Sequence, residues 1–266
     1  MSIVSVDCGR YAVKSYGNKK ITFPSIVGEW RERKISSGGE YEVIINNQRY
    51  FIGELAKEES RYARDMTTRS KIHEETKILT LTSIALQADS GRVQLVTALP
   101  VEQHTPKNKE NLKRLISGNH TIEINGIRKN IKIAETDIIV SIEGAGAYIY
   151  EPLSAKCRII DAGSRTINTL TIDEKGKYRD LESETLDYGC MDLLFDDRAE
   201  QFSRKIITDL SKVWKKYSNE TVLITGGGAG ILEKYLSKQF NTIMISDSIY
   251  ANVLGFYKLG VSVWRK

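Results

Sequence analysis

The sequence predicts an α/β protein built as two lobes, and three short segments carry that prediction. Val6-Asp7-Cys8-Gly9 and Ile160-Asp161-Ala162-Gly163 each end an apolar, strand-like run on an aspartate and a glycine, and each opens a further series of strand-like runs. The third, Val222-Leu223-Ile224-Thr225-Gly226-Gly227-Gly228, passes from a strand pattern to a helix pattern through three glycines. Two Asp-x-Gly turns facing one another can hold a metal-bound polyphosphate, and a glycine-rich turn opening a helix offers backbone N–H groups to a nucleotide.

The first thirty residues read as an antiparallel meander. Ile3 to Asp7, Tyr11 to Ser15 and Ile21 to Val27 are its strands, with turns at Gly9 and at Gly17-Asn18 and an interruption at Pro24. A second hairpin, Glu42 to Ile45 and Arg49 to Ile52 around Asn46-Asn47, follows a charged lead-in from Arg31 to Glu40, and the two suggest a small side lobe. Ile78, Leu79, Leu81, Ile84, Ala85 and Leu86 fall at helical spacing within 73–89, ahead of a strand Val93 to Leu99 that Pro100 stops. A helix is predicted over 107–116, and Asn125-Gly126 joins strands Thr121 to Ile124 and Arg128 to Ile133 in the strongest short hairpin signal of the chain. Strand Ile138 to Ile142 then runs into Glu143-Gly144-Ala145-Gly146-Ala147, whose small residues let a helix approach a neighbouring backbone closely.

The second half repeats the logic of the first. Arg158 to Asp161, Thr166 to Ile172 and Tyr178 to Ser183 read as strands, with turns at Gly163-Ser164 and Glu174-Lys175-Gly176. Phe195, Ala199, Phe202, Ile206, Leu210 and Val213 recur in steps of three and four, predicting a helix from Phe195 to Lys216. Strand Thr221 to Ile224, helix Ile231 to Lys238, strand Thr242 to Ile245 and helix Ile249 to Tyr257 complete the chain. Strands alternating with helices in both halves are what two α/β lobes require.

Composition narrows the function. At 266 residues, with 41% apolar and 27% charged, the chain is ordinary globular protein with material for two modest cores. The excess of 39 Lys and Arg over 34 Asp and Glu gives +5, too mild for a nucleic-acid protein. Clusters such as Arg31-Glu32-Arg33-Lys34 and Lys212-Val213-Trp214-Lys215-Lys216 read as solvated faces, arguing against direct nucleic-acid binding. No run approaches a membrane span and the start lacks the features of a signal peptide, so a cytoplasmic location is expected. Cys8, Cys157 and Cys190 have no metal-ligand spacing, cannot all pair, and read as small buried residues of a reducing compartment.

The chemistry rests on the three segments. A carboxylate at a strand end just before a tight turn can reach Mg²⁺ or its water shell, and Asp7 and Asp161 are so placed. Gly9 and Gly163 let backbone amides approach phosphate oxygens, and Lys14, one strand later, can supply a point charge. Gly226, Gly227 and Gly228 form the strand-to-helix turn. No G-x-x-x-x-G-K-[ST] occurs and the first turn lacks G-x-G-x-x-G, which disfavours the P-loop and dinucleotide-binding folds.

The ordered set Asp7 to Lys14, Glu143 to Ala147, Asp161 to Thr166 and Thr225 to Gly228 strongly resembles the actin, Hsp70 and sugar-kinase ATPase superfamily. Ser248 to Gly255 resembles its second connecting helix, and Ala98-Leu99-Pro100-Val101 a strand end of ParM-like plasmid-segregation actins. The resemblance implies an α/β fold of two actin-like (RNase H-like) lobes around a nucleotide cleft. These are expected over 1–145, with a small side subdomain at about 28–60, and over 146–266. It implies ATP or GTP with Mg²⁺ as the ligand. Asp7 and Asp161 would organise the metal through its water shell, and Glu143 would orient the water that attacks the γ-phosphate. Cys8, Gly9, Arg10, Lys14, Gly163, Ser164, Arg165, Thr166, Gly226, Gly227 and Gly228 would contact the nucleotide. Only residues 190–221 stand between the second meander and the Gly226 strand, so the upper subdomain of the second lobe (IIB) is expected to be missing, as in AlfA-like proteins. Arg204 or Lys205, on the helix that fills the interval, would then substitute for its contacts to ribose and base. Arg165 and Asn168 depart from the family pattern, which commonly has a small and an acidic residue there.

The function so implied is a nucleotide-dependent filament protein that segregates plasmid DNA through a small DNA-binding adaptor on the plasmid centromere, with no membrane partner. A small-molecule kinase of the same superfamily is the alternative, although 266 residues leave little material for a substrate pocket. An Hsp70-like chaperone would need a peptide-binding module after the ATPase, and the sequence ends soon after the second connecting helix.

Overall fold

A computed structural model describes residues 1–34, 41–66, 68–194, 198–214 and 220–265. The chain divides into two compact units, residues 1–99, 105–141 and 256–266 in the first and residues 100–104 and 142–255 in the second. Each has its own sheet and its own core.

The first unit starts with β1 (Ser2–Cys8), β2 (Ala12–Tyr16) and β3 (Ile21–Pro24), the expected antiparallel meander. Pro24 ends the third strand, and the chain restarts as β4 (Ile26–Glu29). It continues through β5 (Tyr41–Ile45), β6 (Gln48–Ile52), α1 (Glu54–Glu59) and β7 (Ala63–Asp65) to α2 (Glu74–Gln87) and β8 (Gly91–Leu99). Then come α3 (Pro106–Ile116), β9 (Gly118–Ile124), β10 (Ile127–Ile133) and β11 (Ile138–Ile142). Among the described residues one sheet runs β3-β2-β1-β8-β10-β9-β5-β6-β4-β7, and β11 also pairs with β8. β1 is parallel to β8, and α2 packs on β1, β2 and β9. Both hairpins marked by asparagine turn as the sequence predicts: Asn46 and Asn47, and Asn125 and Gly126, all have positive φ, as a two-residue turn between strands requires. Ile78, Leu79, Leu81, Ile84 and Ala85 of α2 are buried against the sheet.

The second unit comprises α4 (Ala145–Tyr150), β12 (Cys157–Ala162), β13 (Ile167–Ile172), β14 (Glu184–Leu186), α5 (Ala199–Val213), β15 (Thr221–Thr225), α6 (Ala229–Leu236), β16 (Asn241–Met244) and the start of α7 (Ala251–Trp264). The division into units falls inside α7, after Gly255. Its sheet runs β14-β13-β12-β15-β16, with β12 parallel to β15 and β15 parallel to β16. All six residues of β12 and all six of β13 are buried, the polar Arg158, Asp161, Asn168, Thr169 and Thr171 among them.

Three local expectations are corrected. The strand predicted over Tyr178 to Ser183 is a single bridge, Tyr178 to Ile172, followed by a 3₁₀ turn, Asp180–Glu182, closed by Ser183 N–H on Asp180 at 3.1 Å. Trp214 is not part of a solvated basic face. It is fully buried, donates its indole N–H to the Glu182 carbonyl at 3.1 Å and lies under the Arg158 guanidinium. The helix predicted from Phe195 to Lys216 spans Ala199–Val213, with Ala199, Ile206 and Leu210 inward; Phe195, Lys215 and Lys216 lie outside the described residues, as does the lead-in from Ile35 to Glu40. Between β14 and β15 the described residues hold one 3₁₀ turn, Cys190–Leu194, and α5. All three cysteines are buried free thiols.

Candidate phosphate-binding loops

In the first unit, β1 and β2 bring Asp7 opposite Lys14 across the hairpin. Both are half-buried. The turn between them is tight: a Cβ on Gly9 would lie 2.7 Å from the Ala12 carbonyl and 3.2 Å from the Lys14 ammonium. Lys14 therefore folds back over the turn, and its charge sits beside the Gly9 backbone. Two further side chains hold the turn from outside. Ser25, where the chain breaks after Pro24, donates its hydroxyl to the Gly9 carbonyl and its N–H to Tyr11 O at 3.0 Å. Lys71, 4% exposed, donates to the Cys8 carbonyl at 3.0 Å, and Arg10 reaches the Arg69 carbonyl at 2.8 Å. Lys71 was not legible in the sequence, because a lone lysine in a polar stretch carries no periodic signal.

In the second unit the strand order does the positioning. Asp161, the penultimate residue of β12, pairs with Thr225, the last residue of β15, so the second Asp-x-Gly turn and the Gly226 turn emerge side by side. Gly226 has φ +88°, and a Cβ on it would lie 2.7 Å from Asp161 Oδ1 and 2.6 Å from the Ala162 carbonyl. Only glycine fits there, since the backbone is left-handed and the space above is taken. Gly228 N–H then donates to Ala162 O at 3.0 Å, tying the start of α6 to the end of β12. A Cβ on Gly163 would sit 2.6 Å from Thr166 O, the counterpart of the Gly9 closure. The outer side of this turn is covered by backbone: Cys190 N–H donates to Gly163 O at 2.9 Å and Met191 N–H to Ser164 O at 2.8 Å. Thr166 is buried, whereas Ser164 and Arg165 are partly exposed.

The two acids of this unit that the sequence singles out are both buried, Asp161 at 8% exposure and Glu143 at 6%. A buried carboxylate needs hydrogen-bond donors to offset the loss of water, and asparagines supply them in both cases. Asn252 Nδ2 donates to Asp161 Oδ2 at 2.9 Å, and Asn168 Nδ2 donates to Glu143 Oε2 at 2.9 Å. Asn168 is the residue opposite Asp161 in the β12–β13 pair. Its Oδ1 accepts from Thr185 Oγ1 at 2.7 Å and from Val101 N–H at 3.3 Å. Neither asparagine belongs to a glycine-rich motif, so sequence reasoning assigned them no role in holding the acids. Cys190 lies beneath Gly228, and its thiol is pushed up to about 12, by burial first and then by the charge of Asp161. It is a thiol, not a nucleophile, at neutral pH.

Arg204 and Lys205 stand on the exposed face of α5. Arg204 pairs with Glu200 at 2.8 Å; Lys205 pairs with Asp209 at 2.7 Å and lies 3.8 Å from the centre of the Tyr188 ring. Gly227 is open on its outer side. Among the described residues no three His, Cys, Asp or Glu side chains form a metal-binding group. Within its own unit, the carboxylate of Asp161 is of the kind that a hard cation such as Mg²⁺ takes, since that ion uses one or two carboxylates and completes its shell with waters and phosphate oxygens.

The likenesses to known proteins agree with this layout. A family model described as the actin-like proteins N-terminal domain matches residues 5–146. No curated protein matches the chain by sequence. Among solved structures it is similar to apo pSK41 ParM, with TM-score 0.82 and 21% identity over 99% of this chain and 98% of that one. It is similar to AlfA from plasmid pLS32 of B. subtilis in its filament, with TM-score 0.76 and 21% identity over 99% of each chain. An AlfA filament bound to AMPPNP gives TM-score 0.74 and 20% identity over 98% of this chain and 96% of that one. With the Asp-x-Gly turns, the Gly226 turn and the sheet order all in place, the chain belongs to the actin-like proteins and has their fold.

Proposed function

We propose that this actin-like protein binds a nucleoside triphosphate, ATP or GTP, with Mg²⁺, hydrolyses it, and assembles into filaments that segregate plasmid DNA through a small DNA-bound adaptor. The observation that carries the reading is the Asp161–Gly226 arrangement: a buried carboxylate under a glycine that no other residue can replace, beside a helix start and a second glycine turn. Burying an acid and closing backbone over it is costly for a plain strand connection, and it is useful where a phosphate and a hydrated metal ion must be held in fixed positions. The similarity to a filament bound to AMPPNP and to a plasmid-borne filament protein supports both halves of the proposal.

Cys8, Gly9, Arg10 and Lys14 contribute from the first unit, with Lys14 as the point charge for phosphate oxygens. Gly163, Ser164, Arg165 and Thr166 contribute from the second, with Gly226, Gly227 and Gly228 toward the nucleoside and Arg204 or Lys205 toward ribose and base. Asp7 and Asp161 would hold the metal through its waters, and the ion when bound neutralises phosphate charge. Glu143 orients the attacking water with one carboxylate oxygen while Asn168 holds the other. A head-to-tail interface between identical subunits does not close and so generates filaments. The net charge of +5 is weak for DNA, which is why an adaptor belongs in the proposal.

Sedimentation and light scattering with ATP, GTP, their non-hydrolysable analogues and no nucleotide, each with Mg²⁺, test it. Nucleotide-dependent pelleting with phosphate release is the expected result. A chain that stays monomeric at high concentration under every nucleotide overturns the filament reading.

A further inference from the structure

Asn252, in the first turn of α7 and 6% exposed, makes two hydrogen bonds of opposite sense with one carboxamide. Its Oδ1 accepts from the Gly144 N–H at 3.1 Å, and its Nδ2 donates to Asp161 Oδ2 at 2.9 Å. The orientation of the amide follows from chemistry, because a backbone N–H only donates; the atom facing Gly144 must be oxygen, which leaves the NH₂ for the carboxylate. The backbone that carries Asn252 is fixed as firmly as the side chain. A Cβ on Gly146 would lie 2.3 Å from Asn252 O, and a Cβ on Gly255 would lie 1.8 Å from Gly146 O, so α4 and α7 cross with their backbones in contact. Gly144 itself has φ +87°, and a Cβ there would come within 3.3 Å of Asp161 Cβ. The second oxygen of Asp161, Oδ1, lies under Gly226.

We propose that Asn252 is a positioning residue that sets the orientation of Asp161 and the backbone directly after Glu143 through one carboxamide, giving the two carboxylates a common reference point. The proposal rests on the reading of this protein as a nucleotide hydrolase. A donor needed only to satisfy a buried acid has no reason to accept from the N–H that follows the other acid. A carboxamide does both because it carries a donor and an acceptor side by side on one short planar group. A shift of Asn252 thus moves Asp161 and the start of α4 together, and misplacing reacting groups by about an ångström costs on the order of a hundredfold in rate.

Asn252→Asp separates positioning from mere packing. It keeps the shape and keeps an oxygen for Gly144 N–H, but it replaces the donor to Asp161 with a like charge. Asn252→Ala loses both bonds. The double variant Asp161→Asn with Asn252→Asp restores a donor and acceptor between the two positions while moving the charge off residue 161. Affinity for ATP and GTP is measured in EDTA by fluorescence, and phosphate release at saturating nucleotide with Mg²⁺.

The expected result is that Asn252→Asp binds nucleotide within about threefold of wild type and releases phosphate at least roughly tenfold more slowly. The double variant is expected to match the thermal midpoint of wild type and to stay slow. Release within about twofold of wild type, by Asn252→Asp or, should that variant not fold, by Asn252→Ala, overturns the inference. Wild-type protein that neither binds nor hydrolyses either nucleotide overturns the functional reading, and the inference with it.

Discussion

The Asp-x-Gly turn occurs twice in this chain, and its two copies are held by different means. At the first, Asp7 is half-buried opposite Lys14, and the turn carbonyls accept from a hydroxyl and an ammonium, those of Ser25 and Lys71. At the second, Asp161 is buried, its side chain accepts from the neutral amide of Asn252, and the turn carbonyls accept from the backbone N–H groups of Cys190 and Met191. One turn is tied down by a hydroxyl and an ammonium; the other is tied down by backbone N–H groups. In the function proposed above, the first would serve phosphate oxygens and the second the cation.

Glycine replacement is the severest way to break this comparison. Gly226→Ala meets a left-handed backbone and atoms of Asp161 and Ala162 at 2.7 and 2.6 Å, and is expected to cost about 3 kcal/mol in urea unfolding. Gly9→Ala meets the Ala12 carbonyl at 2.7 Å without a positive φ, and is expected to cost about 1 kcal/mol less. Equal losses would mean that the closure over Asp161 is no tighter than the one at Gly9.

Charge replacement comes next. Asp161→Asn should slow phosphate release roughly a hundredfold and Asp7→Asn roughly tenfold, with pelleting assays unchanged in both, if the second turn carries the metal. Unchanged release in Asp161→Asn would contradict its assignment.

Lys71→Met sharpens the comparison from the other side. It removes the ammonium that holds Cys8 O and should destabilise the protein by about 2 kcal/mol while weakening nucleotide affinity more than the turnover rate. A loss of turnover at unchanged affinity would place Lys71 with the metal rather than with the phosphate oxygens.

How far all this was legible depended on whether a residue's role is local. The Asp-x-Gly turns, the asparagine hairpins and the α2 face follow from spacing alone, since turn geometry and helix period act within a few residues. Lys71, Asn168 and Asn252 act across long sequence separations, 63 residues in the bond from Lys71 to Cys8 and 91 in that from Asn252 to Asp161. No period or motif marks such residues, and only the fold brings them to their partners. Trp214 was misread for a related reason. Flanking lysines made its stretch look solvated, but the Arg158 guanidinium on its ring and the Glu182 carbonyl at its N–H turn it inward. The segment from Tyr178 to Ser183 carries Asp180 and Glu182, which strands disfavour, and the i to i+3 bonds to the carbonyls of Arg179 and Asp180 prevail over sheet pairing there.

The smallest expected effect concerns what stands behind the second turn. Tyr188, just before the segment that covers Gly163 and Ser164, donates its hydroxyl to Asp209 Oδ2 at 2.8 Å and packs edge-on against Phe202 of α5. Hydrogen bonds from Lys205, then Lys212, then Tyr188 hold the Asp209 carboxyl well below the usual carboxylate range. A depressed folded value stabilises the protein above the ordinary carboxylate value and is lost as the pH falls, so the contribution is present at neutral pH. Asp209→Asn should therefore destabilise by about 1 kcal/mol at pH 7, with the gap to wild type closing as the pH falls below about 4. The loss stays small because Glu184, held above the usual range by burial and then by the charge of Asp209, is relieved by the same substitution. Thermal unfolding of both proteins across that pH range measures the gap. If it persists unchanged in acid, Asp209 acts through the shape of its contacts with Tyr188, and the dipole-held turn owes nothing to charge even one layer out.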